Sequence, residues 1–397
     1  MLRSIIYNNS RLRVLAVLFL TLNASLLYAQ GNGPLYWNIE RLEEVRTSPK
    51  YQILVEACVN KANEYAAAKP LTVTSKIKSF SGDPHDYSSL AVYWWPDENS
   101  TDGKYVNRDG YINPEFEQYD LPKLRELAVR MKYFAWAYYL TGQRKYYKAA
   151  VRQLKVWFVK KKTYMYPSFN YGQVTPGYNN NRGRGTGIIE AYEFNMVLES
   201  IRLLDSQKKL PASLSKSLQE WFFQFSDWVA HSDLGVAASK GSSNTGLAYD
   251  VTLLNCALYA GNTAVADTVS KIFYKKRIEA QIKPDGSQPN ELLRTNAYSY
   301  SVYNLTHVVD FCLIQQSLGN NFYAEHKGRI DAAINYLIQF IDNESAFKYQ
   351  QIGDIKPSER ELMKEISRLR RIGCDIQVDD KIYKRFNPYV KIENVLQ

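Results

Sequence analysis

The stretch from Asp285 to Tyr300, with the sequence DGSQPNELLRTNAYSY, holds the residues best suited to acid–base chemistry. It opens with turn-forming residues and continues into a pattern typical of a helix. Arg294 and Tyr300 are six positions apart, so they converge only if Arg294 lies in the loop or first turn and Tyr300 in the helix body. A guanidinium fixed beside a phenol suits proton transfer on an acidic substrate. The alternative is an arginine in a surface ion pair and a tyrosine in the core.

A second candidate stretch is the loop from Gly82 to Asp97, GDPHDYSSLAVYWWPD. Tyr93 and Trp94 belong to a run of three aromatic residues in this otherwise polar segment, which also contains His85. Consecutive aromatic side chains are costly to expose, so they either pack against helices or bind a ligand. Sugars are suitable ligands, because their apolar ring faces stack on aromatic rings and their hydroxyls bond to phenols.

Two further polar stretches lie at predicted helix starts. The first combines NYGQ, which contains Tyr171 and Gln173, with NRGRGTGIIE, in which glycines flank Arg182 and Arg184. The second is SNTGLAYD, which contains Asn244. The alternative for each stretch is a solvated loop.

The elements that must position these stretches are mostly helical. Apolar spacing predicts helices at about residues 37–68, 121–141, 146–160, 188–205, 211–231, 247–260, 263–279, 298–318 and 326–342. Strand signals are scarce, and Gly142, Gly261 and Gly319 follow helices where a left-handed residue is needed. The sequence therefore predicts an all-α fold, a curved array or toroid of antiparallel helical hairpins with long loops at one rim.

Composition narrows the class of partner. The 397 residues include 31 tyrosines and carry a formal charge of +10. A basic, tyrosine-rich protein favours acidic glycans, whereas the sequence shows no nucleic-acid-binding motif, so we expect no nucleic-acid partner. The four histidines lack metal-site spacing, and we expect no metal. The four cysteines are scattered along the chain and could be paired or buried as free thiols.

The N-terminus has the pattern of a secretory signal. Three arginines precede an apolar run from Val14 to Leu27, and Ala29 offers a small residue for cleavage. Removing those arginines leaves a charge of about +7 (10 − 3), so the mature chain stays basic. We expect a signal peptide at residues 1–29, one domain at 30–397, no membrane span in the mature chain, and a periplasmic or secreted location.

Three strings, HDYSSLAVYWWPD, RGRGTGIIE and DGSQPNELLRTNAYSYS, resemble the alginate lyase family of polysaccharide lyases. The resemblance implies an incomplete (α/α) toroid that cleaves alginate or a related polyuronate by β-elimination, without a cofactor. In that reaction a base removes the C5 proton beside a carboxylate, and an acid protonates the leaving 4-linked oxygen.

The resemblance also implies roles for individual residues. Tyr300 matches the catalytic tyrosine, Arg294 the arginine that binds the substrate carboxylate, and Asn244 an asparagine that helps to neutralise it. The sequence departs from the family where Thr245 replaces a histidine. Tyr300, with its pKa lowered by Arg294, could then serve as both base and acid; alternatively His85 could replace the histidine. The expected substrate-binding residues are His85, Tyr93, Trp94, Tyr171, Gln173, Arg182 and Arg184.

Two other functions remain open from the sequence. One is a catalytically silent uronate-binding protein of the same fold. The other is a glycoside hydrolase, which needs two carboxylates at a suitable separation across the bond. The sequence offers several carboxylates but no clear pair: Asp86, Asp97, Glu190, Asp250 and Glu291.

Overall fold

The computed structural model describes residues 33–386, and helices dominate it. In chain order they are α1 (Ile39–Thr47), α2 (Gln52–Ala67), α3 (Leu121–Thr141), α4 (Arg144–Phe158), α5 (Glu193–Gln207), α6 (Ala212–His231), α7 (Asp233–Ser239), α8 (Asn244–Ala260), α9 (Thr263–Phe273), α10 (Pro289–Leu292), α11 (Ala297–Ser317), α12 (Phe322–Ile338), α13 (Lys356–Arg370) and α14 (Asp380–Arg385). The predicted signal peptide at residues 1–29 lies outside the described residues.

The helices form two concentric rows. The inner row packs α3 on α5, α5 on α8, α8 on α11 and α11 on α13, while α4, α6, α9 and α12 lie outside it. Inner helices are buried almost all round, as α8 and α11 show, which is the pattern of a helix enclosed on every side. The first and last inner helices, α3 and α13, face each other across a cavity. The ring is therefore an incomplete (α/α) toroid, as predicted.

Two short sheets form at the rim from the predicted loops. Strand β1 (Ser88–Leu90) pairs in parallel with β4 (Tyr171–Val174), while β2 (Trp94–Pro96) pairs antiparallel with β3 (Tyr105–Asn107). The β1–β4 pair joins two loops: residues 82–97, which we call the aromatic loop, and the loop that contains Gln173 and Arg184 and precedes α5, which we call the second loop. Both loops are thereby fixed over one end of the toroid.

Some predicted boundaries are wrong. The helix predicted at 37–68 is interrupted at Pro49, where a 3₁₀ turn separates α1 from α2. The segment Gly185–Tyr192 is 3₁₀-helical, and α5 begins only at Glu193. Gly142, Gly261 and Gly319 do adopt positive φ angles of 67°, 73° and 83°, as predicted for residues that end helices.

The segment before α1 closes the toroid at the end away from the rim. Backbone N–H groups of Leu35, Tyr36 and Trp37 donate to the carboxylate of Glu199, over 2.8, 2.6 and 2.8 Å. Glu199 is fully buried on α5, so these three bonds replace the water it would otherwise bind. They fix the segment firmly against the inner helices.

Candidate active site

A cavity of about 980 Å³ opens at the rim, and we call it the rim cavity. Its walls come from the aromatic loop, the second loop, the start of α8, the α10–α11 turn and the segment before α13. Seven residues that bear on the sequence predictions line it: Tyr93, Gln173, Arg184, Asn244, Thr245, Arg294 and Tyr300. The toroid therefore brings all four candidate stretches of the sequence to one place.

Arg294 and Tyr300 lie side by side, in the arrangement that their spacing in the sequence requires. Arg294 lies in the turn between α10 and α11, and Tyr300 lies in the first turn of α11. The guanidinium carbon is 3.7 Å from the centre of the Tyr300 ring, over its face. Arg294 in turn donates from Nε and Nη2 to the carboxylate of Asp109, over 3.1 and 2.7 Å. Asp109 thus holds the guanidinium in place over the ring.

The Tyr300 hydroxyl donates a hydrogen bond to the Tyr93 hydroxyl over 2.8 Å. Burial raises the pKa of Tyr300 above its ordinary value, and its contact with Tyr93 raises it further. Arg294 acts in the opposite direction but does not outweigh them. The prediction that Arg294 lowers the net pKa of Tyr300 is therefore wrong, because desolvation by burial outweighs the effect of the guanidinium.

Asn244 is the first residue of α8 and is almost fully buried. Its backbone N–H and its side-chain Nδ2 both donate to the carboxylate of Glu291 on α10, each over 2.6 Å. Burial raises the pKa of Glu291. The next residue, Thr245, lines the cavity, and its Oγ1 is 3.2 Å from the hydroxyl of Ser243.

The opposite wall is a chain of polar contacts. Arg184 donates from Nη2 to Oε1 of Gln173 over 2.9 Å, and the Gln173 backbone N–H donates to Ser89 Oγ over 2.7 Å. Ser89 and Tyr87 both donate to the buried carboxylate of Glu190, over 2.5 and 2.8 Å. Burial raises the pKa of Glu190 to about 7.

Backbone geometry explains the glycines of this wall. Gln173 has a φ of 50°, an unfavourable conformation for a residue with a side chain that concentrates at functional sites. A Cβ atom on Gly187 would lie 2.2 Å from the carbonyl oxygen of Gly172. Only glycine allows the two segments to cross this closely.

Four predicted substrate-binding residues are not among the described residues that line the rim cavity. Arg182 pairs with Asp233 on the surface at 3.2 Å. The imidazole of His85 lies 2.6 Å from the carbonyl oxygen of Tyr164. The other two are Trp94, whose ring packs against Tyr178, and Tyr171 in β4. His85 is therefore not placed to replace the histidine at Thr245.

Sequence reasoning gave no role to two supporting carboxylates. Asp109 lies 185 positions from Arg294 in a polar loop, so nothing in the local sequence indicates their contact. Glu291 was considered only as a hydrolase carboxylate, although it orients Asn244. The sequence does offer one signal for Glu291: it lies in the same motif as Arg294.

The described residues show no cluster of His, Cys, Asp and Glu that could hold a metal ion. Within residues 33–386 none of the four cysteines forms a disulfide, and all four are buried. Among the helices of residues 33–386, none is long and apolar enough to cross a membrane.

Comparison with known proteins agrees with this architecture. A family model described as alginate lyase matches residues 71–347. An alginate lyase from Bacteroides ovatus of known crystal structure is 35% identical, covers 91% of this chain and 96% of its own, and superposes with a TM-score of 0.82. No match was found among curated protein sequences.

More distant structures share the fold alone. Alginate lyase A1-III from Sphingomonas species A1 is 14% identical over 83% of this chain and 88% of its own, with a TM-score of 0.54. A variant of A1-III complexed with a tetrasaccharide is 12% identical over 88% and 91%, with a TM-score of 0.56.

The toroid, the family match and the similar crystal structure together define the class of enzyme. The protein is a polysaccharide lyase, which breaks carbon–oxygen bonds. Within that class, the chain belongs to the alginate lyase family.

Proposed function

We propose that the protein cleaves a uronate-containing acidic polysaccharide, alginate or a related polyuronate, by β-elimination in the rim cavity. One observation carries the residue assignment. Tyr300, Arg294 and Asn244 come from different elements and line one cavity, each with its side chain held by a defined partner. Such fixed donors are what the reaction needs where charge develops.

The substrate carboxylate is neutralised by N–H groups of Arg294 and Asn244 that are not engaged by Asp109 or Glu291. Arg294 uses Nε and Nη2 on Asp109, so its Nη1 group remains for the substrate. Asn244 uses one Nδ2 hydrogen on Glu291, and the second remains. Two oriented N–H groups then stabilise the negative charge that grows on the carboxylate as the C5 proton leaves.

Tyr300 supplies both proton transfers. As a phenolate it takes the C5 proton; the C5–H electrons form the C4–C5 double bond, and the C4–O bond breaks. The same hydroxyl then gives that proton to the departing O4, so the enzyme returns to its starting state. Because proton and leaving group lie on one face of the sugar in a syn elimination, one residue serves both steps, and no histidine at Thr245 is needed.

Tyr93 and Arg294 support the phenolate form of Tyr300. When Tyr300 loses its proton, the Tyr93 hydroxyl at 2.8 Å donates to the phenolate oxygen. The guanidinium over the ring attracts the added charge. Burial raises the pKa of Tyr300, so forming the phenolate at neutral pH adds to the activation free energy of the reaction.

The basic charge of the chain and its N-terminal pattern support action outside the cytoplasm. We propose that residues 1–29 direct export, which would bring the enzyme to a polymer too large to enter the cell. The resemblance to the family also breaks at Ala248, where the family commonly has a tryptophan. This change, together with Thr245 in place of the histidine, leads us to propose a polyuronate other than common alginate as the preferred substrate.

The test is the ultraviolet absorbance of the unsaturated product on a panel of mannuronate, guluronate and glucuronate polymers, with Tyr300→Phe beside the wild type. We expect a rise on at least one polymer that the variant does not give. No rise on any polymer, with binding retained, would instead make this a silent uronate-binding protein. A higher rate on alginate than on glucuronate polymers would contradict the substrate proposal alone.

A further inference from the structure

The outer surface of α4 carries charge of one sign. Residues 127–189 contain twelve lysines and arginines and no aspartate or glutamate, whereas the whole chain has 50 of the former and 40 of the latter. Five of these cations lie on the exposed side of α4, and their spacing follows one face of the helix. We call these five residues the basic stripe: Arg144, Lys145, Lys148, Arg152 and Lys155.

The basic stripe is not neutralised by the protein itself. Within residues 33–386, no ion pair joins it to an acid, and acids on α2 and α5 pair with other cations, Glu64 with Lys61 and Asp205 with Lys209. Like charges one turn apart repel each other and weaken a helix, and soluble surfaces usually mix both signs. A stripe that keeps this repulsion suits a partner that brings the opposite charge.

The basic stripe leads towards the rim of the toroid. The backbone N–H of Met165 donates to the carbonyl oxygen of Trp157 in the last turn of α4 over 2.8 Å, and that of Tyr166 donates to His85 of the aromatic loop over 3.0 Å. The C-terminal end of α4 therefore lies at the rim, and its first residue lies about 22 Å away along the helix axis. Residues 160–162, three exposed lysines, continue the positive charge beyond the helix.

An aromatic cluster lies where the positive charge reaches the rim. It consists of the rings of His85, Tyr164 and Tyr166, whose centroids are 5.0, 5.3 and 5.5 Å apart. All three side chains are half-buried, and none is among the residues that line the rim cavity. Aromatic rings with polar tips suit sugars, which offer both apolar faces and hydroxyls. The aromatic cluster therefore adds a preference for carbohydrate to the charge of the stripe.

This surface fits a polysaccharide better than a membrane. A helix that lies on a membrane buries its apolar face among the lipids, whereas the apolar side chains of α4, such as Leu154 and Trp157, are buried in the protein. Within residues 113–177, all of which the structure describes, no large apolar side chain is exposed. A polyuronate carries one carboxylate on each sugar, and cations four positions apart on α4 are about 6 Å apart along the axis. One extended chain can therefore meet several of them.

We propose that the basic stripe, residues 160–162 and the aromatic cluster form a second polysaccharide-binding surface, outside the rim cavity, which holds an acidic polysaccharide. The inference rests on the proposed lyase function for the identity of that polymer, a polyuronate. Because the surface ends at the rim, it keeps a long chain beside the cavity. Two contacts with one molecule raise the affinity for long chains above that of the cavity alone.

The experiment measures the Kd for an immobilised polyuronate, with Tyr300→Phe as the parent protein so that the polymer stays intact. We expect Lys148→Gln, Lys155→Gln and Lys161→Gln together to raise the Kd about tenfold at low salt, and to weaken its dependence on salt, because fewer counterions are displaced. Glutamine has nearly the helix propensity of lysine, so we expect the variant to fold. The matched control replaces three exposed lysines of other elements by glutamine and should change the Kd less than about twofold: Lys50, Lys275 and Lys283.

A separate variant tests the sugar contact. Tyr164→Ala removes one ring of the aromatic cluster, and we expect the Kd for the polyuronate to rise about threefold. The Kd for polyglutamate, a polyanion without sugar rings, should stay the same. An equal change for both polymers would overturn the assignment of the aromatic cluster to sugar binding.

Four results would overturn the binding surface. The first two are an unchanged Kd for the triple variant of the stripe and an equal rise for its control, which would reflect net charge alone. The third is an equal rise in the Kd for a short uronate oligosaccharide, which would place the effect in the rim cavity. The fourth is binding of phosphatidylglycerol vesicles through the stripe with no binding of the polymer. Absorbance assays of the wild type test the lyase proposal separately, because binding by the parent protein requires no turnover.

Discussion

The two sides of the rim cavity differ in how many of the predicted site residues line it. On the side of α8 and α11, each predicted residue lies at or just before a helix start and lines the cavity: Asn244, Arg294 and Tyr300. On the loop side, Tyr93, Gln173 and Arg184 line it, whereas the described lining excludes His85, Trp94, Tyr171 and Arg182.

The difference has a physical cause. A residue at a helix start has its direction set by the helix axis, which the apolar pattern of the helix already determines. A loop residue has its direction set by whichever distant partner it finds. His85 bonds 79 positions away and Arg182 pairs 51 positions away, and neither partner can be read from the local sequence.

The largest expected loss of activity is that of Tyr300→Phe, which we compare with Tyr93→Phe. Tyr300→Phe removes both proton transfers, and we expect kcat to fall at least about a thousandfold. Tyr93→Phe removes only the bond that supports the phenolate, so we expect about a ten- to hundredfold loss. Initial rates of ultraviolet absorbance measure both. Equal losses for the two variants would mean that Tyr93 is itself a proton-transfer group.

The next largest losses of activity are expected for the residues that neutralise the substrate carboxylate. Asn244→Ala removes a donor to the developing charge, and we expect kcat/KM to fall about a hundred- to a thousandfold. Glu291→Gln keeps the shape but weakens the hold on Asn244, for which we expect a loss of up to about a hundredfold.

Thermal unfolding of Glu291→Gln and of the wild type is the control for the Glu291 prediction. Glu291 also caps the backbone N–H at the start of α8, so its replacement can act through stability. Rates measured well below the Tm of each variant isolate the effect on the site. If Glu291→Gln lost stability but kept the wild-type rate, Glu291 would have no role in orienting Asn244.

The pH profile should show one limb. The base form of Tyr300 is the phenolate, and burial raises its pKa, so the active fraction grows as pH rises towards that pKa. We expect log kcat/KM to rise by about one unit per pH unit above neutral pH, with no descending limb from a separate acid. Measurement from pH 6 to 10 checks this. A rise centred near pH 6.5 would indicate a histidine base and contradict the assignment.

The sequence predicted the toroid well but missed its last inner helix. The last predicted helix ends at about residue 342, yet α13 follows it and completes the inner row. Its inward face includes Glu359, Glu365 and Arg368, all buried. Arg368 pairs with Glu365 at 2.7 Å and with Asp310 on α11. Leu362, Met363, Ile366 and Leu369 keep helical spacing, but the charged residues around them lower the mean hydropathy of α13 and make its apolar face less evident in the sequence.

The smallest expected effect tests the two arginines of the RGRG motif against each other. Arg184 lines the rim cavity and bonds to Gln173, whereas Arg182 forms an exposed pair with Asp233. We expect Arg184→Ala to raise KM about tenfold, since a charged contact to a substrate carboxylate is lost. Arg182→Ala should change kcat/KM less than about twofold, because exposed ion pairs contribute little.

Both variants sit two positions apart and remove the same charge, so each is the control for the other. Their difference isolates contact with the substrate from the general attraction of a basic protein for an acidic polymer. Rates at low and high salt sharpen the contrast, because salt screens an exposed charge more than a buried one. A larger KM effect for Arg182→Ala would show that the substrate reaches the surface beside Asp233, and the loop side of the site would then have to be extended outward.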